Sequence, residues 1–415
     1  VSNMFVDRKQ SGGISHFLVA EPRVNATLNL LDSRNNPVFD LLALTGGFGI
    51  SNKMPTLMYL YPDYAYFDNA SLSKYGTETK DRLGLITTDV VKNTANPDLR
   101  PARSTKWEAG LSFRINRIKG FATFFHESHR HELGFTSQLI WQNYDKYTVP
   151  ATATDPVFDA ASGDVTYRVD GTEHTALRTK TTEMYTWSRA ANSTTTHKHG
   201  IEYGLDFGEI KPLHTSLNIS GAWFHIKRKN ENMPLNYIYS SFDYVGVLPS
   251  GGGNLRDRFN STFRLITHIP AIKMVFTTSV QVVWYESTQT IYEDENGNSR
   301  YYLKSYEDKD YLVVDPMGYY DKQGHYTAWS PADADDADKS RIMYRTQPYL
   351  YEKDVIKPWA LLSFRFTKEI GRVAELSVIA NNFTNAKKWH TNPHSLAKTQ
   401  LYPDMYFGAE LKLKL

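Results

Sequence analysis

Apolar and polar residues alternate along the segment from Ser104 to Arg130, and this pattern predicts a long β-hairpin. Alternate positions of its first half carry apolar side chains: Trp107, Ala109, Leu111, Phe113 and Ile115. The residues between them are charged, polar or small, so one face of the strand is apolar and the other is polar. A tight reversal from Asn116 to Gly120 separates this strand from a second, aromatic-rich run. A tilted strand of about 9–11 residues crosses the hydrocarbon layer of a membrane, so the hairpin could be transmembrane.

The same period of two recurs along the chain and predicts about eleven strands, connected as a meander. Besides the two strands of the hairpin, the predicted strands are residues 23–31, 38–50, 199–207, 215–226, 259–265, 274–292, 359–367, 373–380 and 405–415. We therefore expect an all-β fold in which each strand is antiparallel to the next.

The predicted connections alternate between short and long. The short reversals lie near Asn35, Lys119, Pro212, Pro270 and Gly371. The long polar stretches lie near Asp81, Ala160, Leu235 and Pro316, with a more modest one near Thr391. One of them runs from Gln138 to Thr196, with scattered Tyr and Trp, and is expected to be a polar connection. Short turns on one side and long loops on the other are typical of an outer-membrane β-barrel, with periplasmic turns and extracellular loops.

Composition narrows the classes of function that fit this chain. Its 415 residues include no cysteine, which excludes a disulfide framework, a thiolate metal site and a cysteine nucleophile. The formal net charge of +2 leaves no basic footprint for nucleic acid. No run of about 18 apolar residues is present, so the sequence predicts no transmembrane helix. Neither a Ser/His/Asp arrangement nor a G-x-S-x-G motif supports catalysis, so we assign no catalytic residue and expect no enzyme.

The segment from Met405 to Leu415 alternates strictly and is predicted to be the last strand. In a closed barrel its apolar face contacts lipid and its polar face lines the lumen. The residues predicted to form part of the lumen wall, here and on other strands, are Glu108, Arg114, Gln281, Arg365 and Glu410. If the last strand ends on the side of the short turns, the C-terminus lies in the periplasm.

Four stretches of the chain carry a resemblance to a known family. The run NPDLRPARSTKWEAGL, from Asn96 to Leu111, is similar to the pattern NPxLKPExSxxWExGL at the start of a barrel strand. The runs GGFGISNKMPTLMYLYP (46–62) and VIANNFTNAKKW (378–389) resemble two more of its segments, although Asn382 replaces the usual Leu. The last strand resembles a barrel-assembly signal, with Leu415 where many outer-membrane proteins have Phe. Together these stretches resemble TonB-dependent outer-membrane transporters, especially the SusC-like group of Bacteroidota.

This resemblance implies a barrel of about 22 strands with a plug folded inside it. Residues 1–415 would be the C-terminal portion of that barrel, because neither a plug-like nor a TonB-contacting segment is recognised. We expect the plug and the first half of the barrel to lie upstream or on another chain. The segments Val24–Leu31 and Phe407–Leu415 would each pair with strands outside this sequence, because an unpaired edge in lipid leaves its backbone groups unsatisfied.

The function implied by the resemblance is TonB-driven import of a glycan, an oligosaccharide or a peptide across the bacterial outer membrane. The implied partners are the plug and upstream barrel half, a SusD-like lipoprotein lid, the TonB complex, the barrel-assembly machinery and outer-membrane lipid. One alternative is a receptor for a siderophore or metal complex. A second alternative is a surface β-protein without transport activity that holds a metal in its loops.

Tyrosines in the long loops are the candidates for contact with a substrate or partner, because Tyr offers a large, rigid surface that stacks on sugar rings. The candidates are Tyr59, Tyr61, Tyr64, Tyr66, Tyr237 and Tyr239. Loop packing is the alternative for these residues. Aromatic residues near strand ends are instead expected in the interfacial girdle of a barrel, namely Trp107, Trp223, Trp284 and Tyr285.

Two clusters of ionisable residues could bind metal, each with a simpler alternative. In the run HESHRHE, His129 and His131 would share one face of a strand and could hold a metal with a third ligand. The alternative is the polar end of a strand that emerges into solvent. In the run DADDAD, clustered carboxylates could bind calcium in an extracellular loop, or form a solvated loop tip. The calcium candidates are Asp333, Asp335, Asp336 and Asp338.

Overall fold

The computed structural model describes residues 1–401 and 403–413. The fold is all-β, and eleven strands pair in chain order into one antiparallel sheet, which confirms the predicted meander. These strands are β1 Arg23–Asp32, β2 Leu41–Lys53, β3 Ala102–Ile115, β4 Ile118–Thr148, β5 Leu177–Ile210, β6 Thr215–Asn230, β7 Gly252–Ile269, β8 Met274–Tyr292, β9 Trp359–Ile370, β10 Ala374–Asn381 and β11 Tyr406–Leu413. Lys414 and Leu415, at the end of the predicted last strand, lie outside the described residues.

The connections between the strands alternate in length, as predicted. The short ones are residues 33–40, 116–117, 211–214, 270–273 and 371–373. The long ones are residues 54–101, 149–176, 231–251, 293–358 and 382–405. Two of the short turns are single turns of 3-10 helix, Lys211–Leu213 and Pro270–Ile272, each followed by a residue in the left-handed conformation. All short connections therefore lie at one end of the sheet, and all long ones lie at the other.

The sheet is open, with β1 and β11 at its two edges. Within the described part of the chain, β1 pairs with β2 alone and β11 pairs with β10 alone. Almost every residue of both edge strands is exposed, including Val24, Leu28, Phe407 and Leu411. An exposed edge strand leaves a row of backbone donors and acceptors without partners from a neighbouring strand.

The pairing register divides the sheet into an apolar and a polar face. On the apolar face, one row across the strands reads Phe113, Gly120, Leu205, Ile219, Phe263, Val280 and Leu362. On the polar face, the neighbouring row reads Arg114, Lys119, Asp206, Asn218, Arg264, Ser279 and Ser363. Side chains of the apolar face are open to the surroundings, and Leu111 is 42% exposed. The faces thus have opposite chemistry over the width of the sheet.

β4 and β5 continue far beyond their neighbours. The pairing of β3 with β4 reaches Arg130, and the pairing of β6 with β5 reaches Thr194. Beyond these points, residues 133–148 and 177–192 pair only with each other, and we call these two segments the ribbon. The prediction of a polar connection from Gln138 to Thr196 was therefore wrong for most of its length. The ribbon has polar and aromatic residues on both faces, so the period-two pattern is lost although the strands continue.

A β-bulge marks the start of the ribbon. His131 adopts a left-handed conformation with φ of 58°, and the register of β5 against β4 shifts around Thr194. A bulge bends the strand and changes which face the following residues occupy. His129 and His131 therefore do not lie on one regular strand face, contrary to the expectation from the sequence. The alternative, that the strand ends here and emerges into solvent, was also wrong, because β4 continues to Thr148.

The long connections contain further short elements. Their strands are Ala65–Lys74, Leu83–Val91, Thr154–Asp159, Asp164–Val169, Thr172–Thr175, Leu235–Asn236, Tyr244–Val247, Tyr302–Tyr306, Lys309–Val314, Gly318–Asp321, Tyr326–Ala328, Tyr344–Thr346, Asp354–Ile356, Trp389–Thr391 and Lys398–Gln400. Two more short strands, Ser2–Phe5 and His16–Val19, pair with each other before β1 begins. Their helical turns are Leu57–Leu60, Thr79–Asp81, Pro331–Asp335, Lys339–Ile342 and Pro348–Tyr351. No helix in residues 1–401 and 403–413 has both the length and the apolar character needed to cross a membrane.

Candidate functional site

The connection 54–101 packs against the ribbon along much of its length. The ring of Tyr59 lies 5.3 Å from that of Phe135, and Phe67 lies 5.5 Å from Tyr185. Farther along the connection, the Asn96 side chain donates a hydrogen bond of 2.8 Å to a ribbon carbonyl. The ribbon therefore supports this loop through both aromatic contacts and hydrogen bonds.

Two other long connections join each other and also contact the ribbon. The strands Tyr244–Val247 and Gly318–Asp321 pair, which unites connections 231–251 and 293–358 in one small sheet. The Trp141 indole donates a hydrogen bond of 2.8 Å to the carbonyl of Asp321. The backbone N–H of Met184 donates to the carbonyl of Ser240 at 2.8 Å. Three of the long connections thus form one assembly around the ribbon.

The centre of this assembly contains a buried carboxylate. Glu183 accepts hydrogen bonds from the hydroxyls of Tyr185 at 2.7 Å and Tyr144 at 3.0 Å. Burial by itself raises the pKa of Glu183, but hydrogen bonds from Tyr185, Ser240 and Tyr144 outweigh it, so the pKa lies below its ordinary value. Burial, together with the neighbouring carboxylate, raises the pKa of Tyr185 to about 12. The cluster therefore holds an ionised Glu183 between neutral phenols at neutral pH.

The six candidate tyrosines divide into packing and exposed residues. Tyr59 packs on the ribbon, and the Tyr61 hydroxyl accepts a hydrogen bond of 3.0 Å from the backbone of Asp7. Tyr64 and Tyr66 point outward and are 52% and 64% exposed. The structure therefore favours loop packing for Tyr59 and Tyr61 and leaves Tyr64 and Tyr66 free for contact.

The other two candidate tyrosines, Tyr237 and Tyr239, lie in the connection 231–251. Tyr237 is half-buried, and burial raises its pKa. Tyr239 is 46% exposed, and the Arg341 guanidinium lies 5.7 Å from its ring and 4.6 Å from that of Phe242. An open cleft next to these rings is lined by Asn236, Ile238, Arg341, Met343, Tyr344 and Arg345. Its aromatic, amide and guanidinium groups could stack on and hydrogen-bond a polar ligand.

The five residues predicted to line a lumen all lie on the polar face, spread across the sheet. Arg365 and Glu410 form an ion pair of 2.7 Å that spans β10, and Glu108 pairs with Lys106 at 2.8 Å. Gln281 lies opposite Thr262 on this face. Arg114 lines a cavity of about 650 Å³ near the short turns, where polar residues such as Lys119, Asp206 and Arg264 are joined by apolar ones such as Leu41, Phe121 and Ile266. These residues form a polar wall and not one compact site.

The candidate metal ligands do not converge on one point. Asp333 accepts hydrogen bonds from Lys339 Nζ at 2.6 Å and from the Ser330 backbone at 2.9 Å. Asp336 accepts hydrogen bonds from the backbone N–H groups of Asp338 and Lys339. Asp335 belongs to the same 3-10 turn as Asp333. Among the residues that the structure describes, no group of three or more Asp, Glu or His side chains is arranged to hold a metal ion.

His129 has a partner on the polar face. Its Nε2 lies 2.9 Å from a carboxylate oxygen of Glu127, which also accepts a hydrogen bond from Ser104. The other oxygen of this carboxylate lies 3.9 Å from Lys198 Nζ. His129 thus belongs to a polar network around Glu127 and does not form a pair with His131.

A row of histidines that the sequence did not predict crosses three strands on the apolar side. In the pairing register, the row runs through Trp107, His126, His199, His225 and Asp257. The rings of His199 and His225 lie 5.0 Å apart, and His225 Nδ1 lies 2.8 Å from an Asp257 carboxylate oxygen. No local signal reveals this row, because its members are far apart along the chain and only the register aligns them.

The comparisons with known proteins add no family assignment to this geometry. No model of a known protein family matches the sequence, and no curated protein matches it either.

Proposed function

We propose that this chain forms part of an outer-membrane β-barrel that imports a nutrient with energy supplied through TonB. The observation that carries the membrane assignment is the exposed apolar face, which runs across the width of the sheet opposite a polar face. An exposed apolar patch of this extent is unusual on a soluble monomer. In a bilayer the same face contacts lipid, and the polar face lines an aqueous lumen.

The lengths of the apolar segments support this placement. On β3, outward apolar residues run over nine positions, from Trp107 to Ile115. Tilted strands of about 9–11 residues cross the hydrocarbon layer. Aromatic residues lie at the end of this band toward the long connections, where Trp107 contacts Phe124 at 5.4 Å and Phe259 contacts Trp284 at 6.5 Å. Such residues suit the interfacial girdle of a barrel.

The two open edges suggest how the barrel is completed. In lipid, the unpaired backbone groups of β1 and β11 need partners from other strands. We propose that further strands, outside this sequence, pair with both edges and close a barrel of about 22 strands around a plug. The outer membrane, the barrel-assembly machinery and the TonB complex would be the corresponding partners.

Substrate capture belongs, in this proposal, to the loop assembly around the ribbon. The exposed rings of Tyr64, Tyr66 and Tyr239 offer surfaces on which a sugar or peptide can stack. A SusD-like lipoprotein would cover these loops from outside. Polar-face residues such as Arg114 and Glu108 would then line the path toward the periplasm. The assignment to TonB-driven uptake of a glycan, oligosaccharide or peptide rests on the sequence motifs at 46–62, 96–111 and 378–389.

Growth of a deletion strain tests the transport proposal directly. The strain is supplied in turn with single glycans, peptides and iron sources, and each defect is complemented with the wild-type gene. We expect a defect on one glycan or peptide source that the gene restores. A defect confined to an iron source would indicate that the imported substrate is a metal complex and not a glycan or peptide. Normal growth on every source would count against import.

A further inference from the structure

A basic patch lies on the apolar side of β3 and β4, just beyond the aromatic end of the band. It is formed by Arg103, Thr105, His126, Ser128, Arg130 and His131, with Trp107 at its base. Every side chain of this set carries hydrogen-bond donors, and no carboxylate lines the patch. Its position places it at the level where the aromatic girdle of a membrane protein gives way to lipid headgroups.

The pairing register brings two like charges together in this patch. Arg103 and Arg130 are direct partners across the antiparallel pair β3–β4, and both are exposed. Like charges in directly opposite positions destabilise a sheet. In the described part of the chain, neither guanidinium forms an ion pair with a carboxylate. An anion between them would remove the repulsion.

The smaller residues of the patch also have unused donors. The Ser128 hydroxyl is buried without a hydrogen-bond partner among the described residues. The His126 ring stacks on that of His197 at 6.2 Å and lies tilted against that of Trp107 at 5.8 Å. Both side chains project on the same side of β4 as Arg130, because alternate residues of a strand share a face.

We propose that this patch binds the phosphate of an anionic lipid in the membrane leaflet on the side of the long loops. Arg is the side chain best suited to hold phosphate, since its planar guanidinium donates two parallel hydrogen bonds. The lipid's acyl chains would lie along the apolar face beside Phe124 and Trp107, below the phosphate. A soluble anion has no apolar groups that would contact this adjoining apolar surface. The proposal rests on the membrane assignment made above.

Native mass spectrometry of the complete protein, purified from membranes in detergent, tests this site. Phosphatidylglycerol is titrated against wild type and against the double variant Arg103→Gln with Arg130→Gln. Each Arg near an anionic lipid surface contributes about 1 kcal/mol, so we expect binding at this site to weaken about 30-fold in the double variant. The matched control is Arg114→Gln with Lys119→Gln, a like-charge pair on the same two strands but on the polar face. It should bind phosphatidylglycerol as wild type does.

Three further outcomes separate the alternatives. Equal phosphatidylglycerol binding by wild type and the double variant would overturn the site. Displacement of the lipid by excess inorganic phosphate would assign the patch to soluble anions and would also overturn it. Flotation of the wild-type protein with phosphatidylcholine vesicles checks the membrane assignment separately, and failure to float would reject that assignment together with the lipid site.

Discussion

Tyr144 and Glu183 lie on the two strands of the ribbon, and a buried hydrogen bond of 3.0 Å joins the phenol oxygen to the carboxylate. This contact lies in the ribbon, outside the eleven-stranded region of the sheet. Two paired strands on their own would be only marginally stable. The ribbon persists because the long connections pack on both of its faces and because Glu183 accepts several hydrogen bonds there.

We predict that Glu183→Ala loosens the loop assembly and leaves the sheet intact. Hydrogen bonds to a buried charged group contribute about 1.5–3 kcal/mol each, so the local free energy of opening should fall by about 2–4 kcal/mol. Hydrogen exchange of residues 177–192 would measure the change. Glu173→Ala, at an exposed position of the strand Thr172–Thr175, is the control and should exchange as wild type does. Equal protection in both variants would contradict the role of Glu183.

Acidic pH should loosen the ribbon of the wild-type protein, as Glu183→Ala does. The folded-state pKa of Glu183 lies below its ordinary value of 4.5, so its contribution to stability is present above pH 4.5. That contribution is lost as the pH falls through the lower, folded-state pKa, because the protonated acid no longer acts as a charged acceptor. Protection factors of residues 177–192, which correct for the intrinsic pH dependence of exchange, should fall below pH 4.5 in wild type. The Glu183→Gln variant should lack this pH-dependent step. If the variant keeps the step, another group is responsible for it.

Substitution of the candidate tyrosines should separate packing from binding. Tyr59→Ala removes a half-buried ring from Phe135 and should destabilise the loop by about 1–2 kcal/mol, less than a fully buried aromatic residue. The double variant Tyr64→Ala with Tyr66→Ala should keep wild-type thermal stability, because both rings are exposed. It should nevertheless reduce growth on the substrate found with the deletion strain. Unchanged growth would remove Tyr64 and Tyr66 from the capture surface.

Calcium should have little effect on the loop that contains Asp333. The Lys339 ammonium and the Ser330 backbone already occupy this carboxylate, and the hydrogen bond from Lys339 is the main reason that the pKa of Asp333 is lowered. We therefore expect the melting temperature to stay the same when calcium is added or chelated. A clear rise with calcium that Asp335→Asn abolishes would establish the site suggested by the DADDAD run.

Charge substitutions on β3 should depend on which face they occupy. Arginine on the lipid face of a membrane barrel costs about 2–4 kcal/mol near the bilayer centre. Leu111→Arg should therefore reduce assembly of the protein in the outer membrane. Ser112→Arg, one residue along on the polar face, should assemble nearly as wild type does. Equal assembly of the two variants, measured as folded protein in outer-membrane fractions, would contradict the assignment of the faces.

The sequence predicts the sheet well because each of its strands has one apolar and one polar face. A period of two predicts the strand around Trp107 and the polar-face position of Gln281. The short turn at Pro270 follows from the interruption of the pattern between two such segments. The ribbon lacks this period because loops cover it, so that Glu183 and Tyr144 become buried without an apolar pattern. The bulge at His131 depends on a single residue's backbone conformation. The row from His126 to His225 depends on pairing between distant segments, which one sequence does not specify.

Cysteine accessibility on β3 is the sharpest test of the membrane assignment. These 415 residues contain no cysteine, so Leu111→Cys and Ser112→Cys each introduce a single thiol among them, on opposite faces of the same strand. The protein is reconstituted in vesicles and treated with a water-soluble or a lipid-soluble maleimide. We predict that the water-soluble reagent labels Ser112→Cys and spares Leu111→Cys, which the lipid-soluble reagent labels. Equal labelling of both thiols by the water-soluble reagent would contradict the placement of the apolar face in lipid.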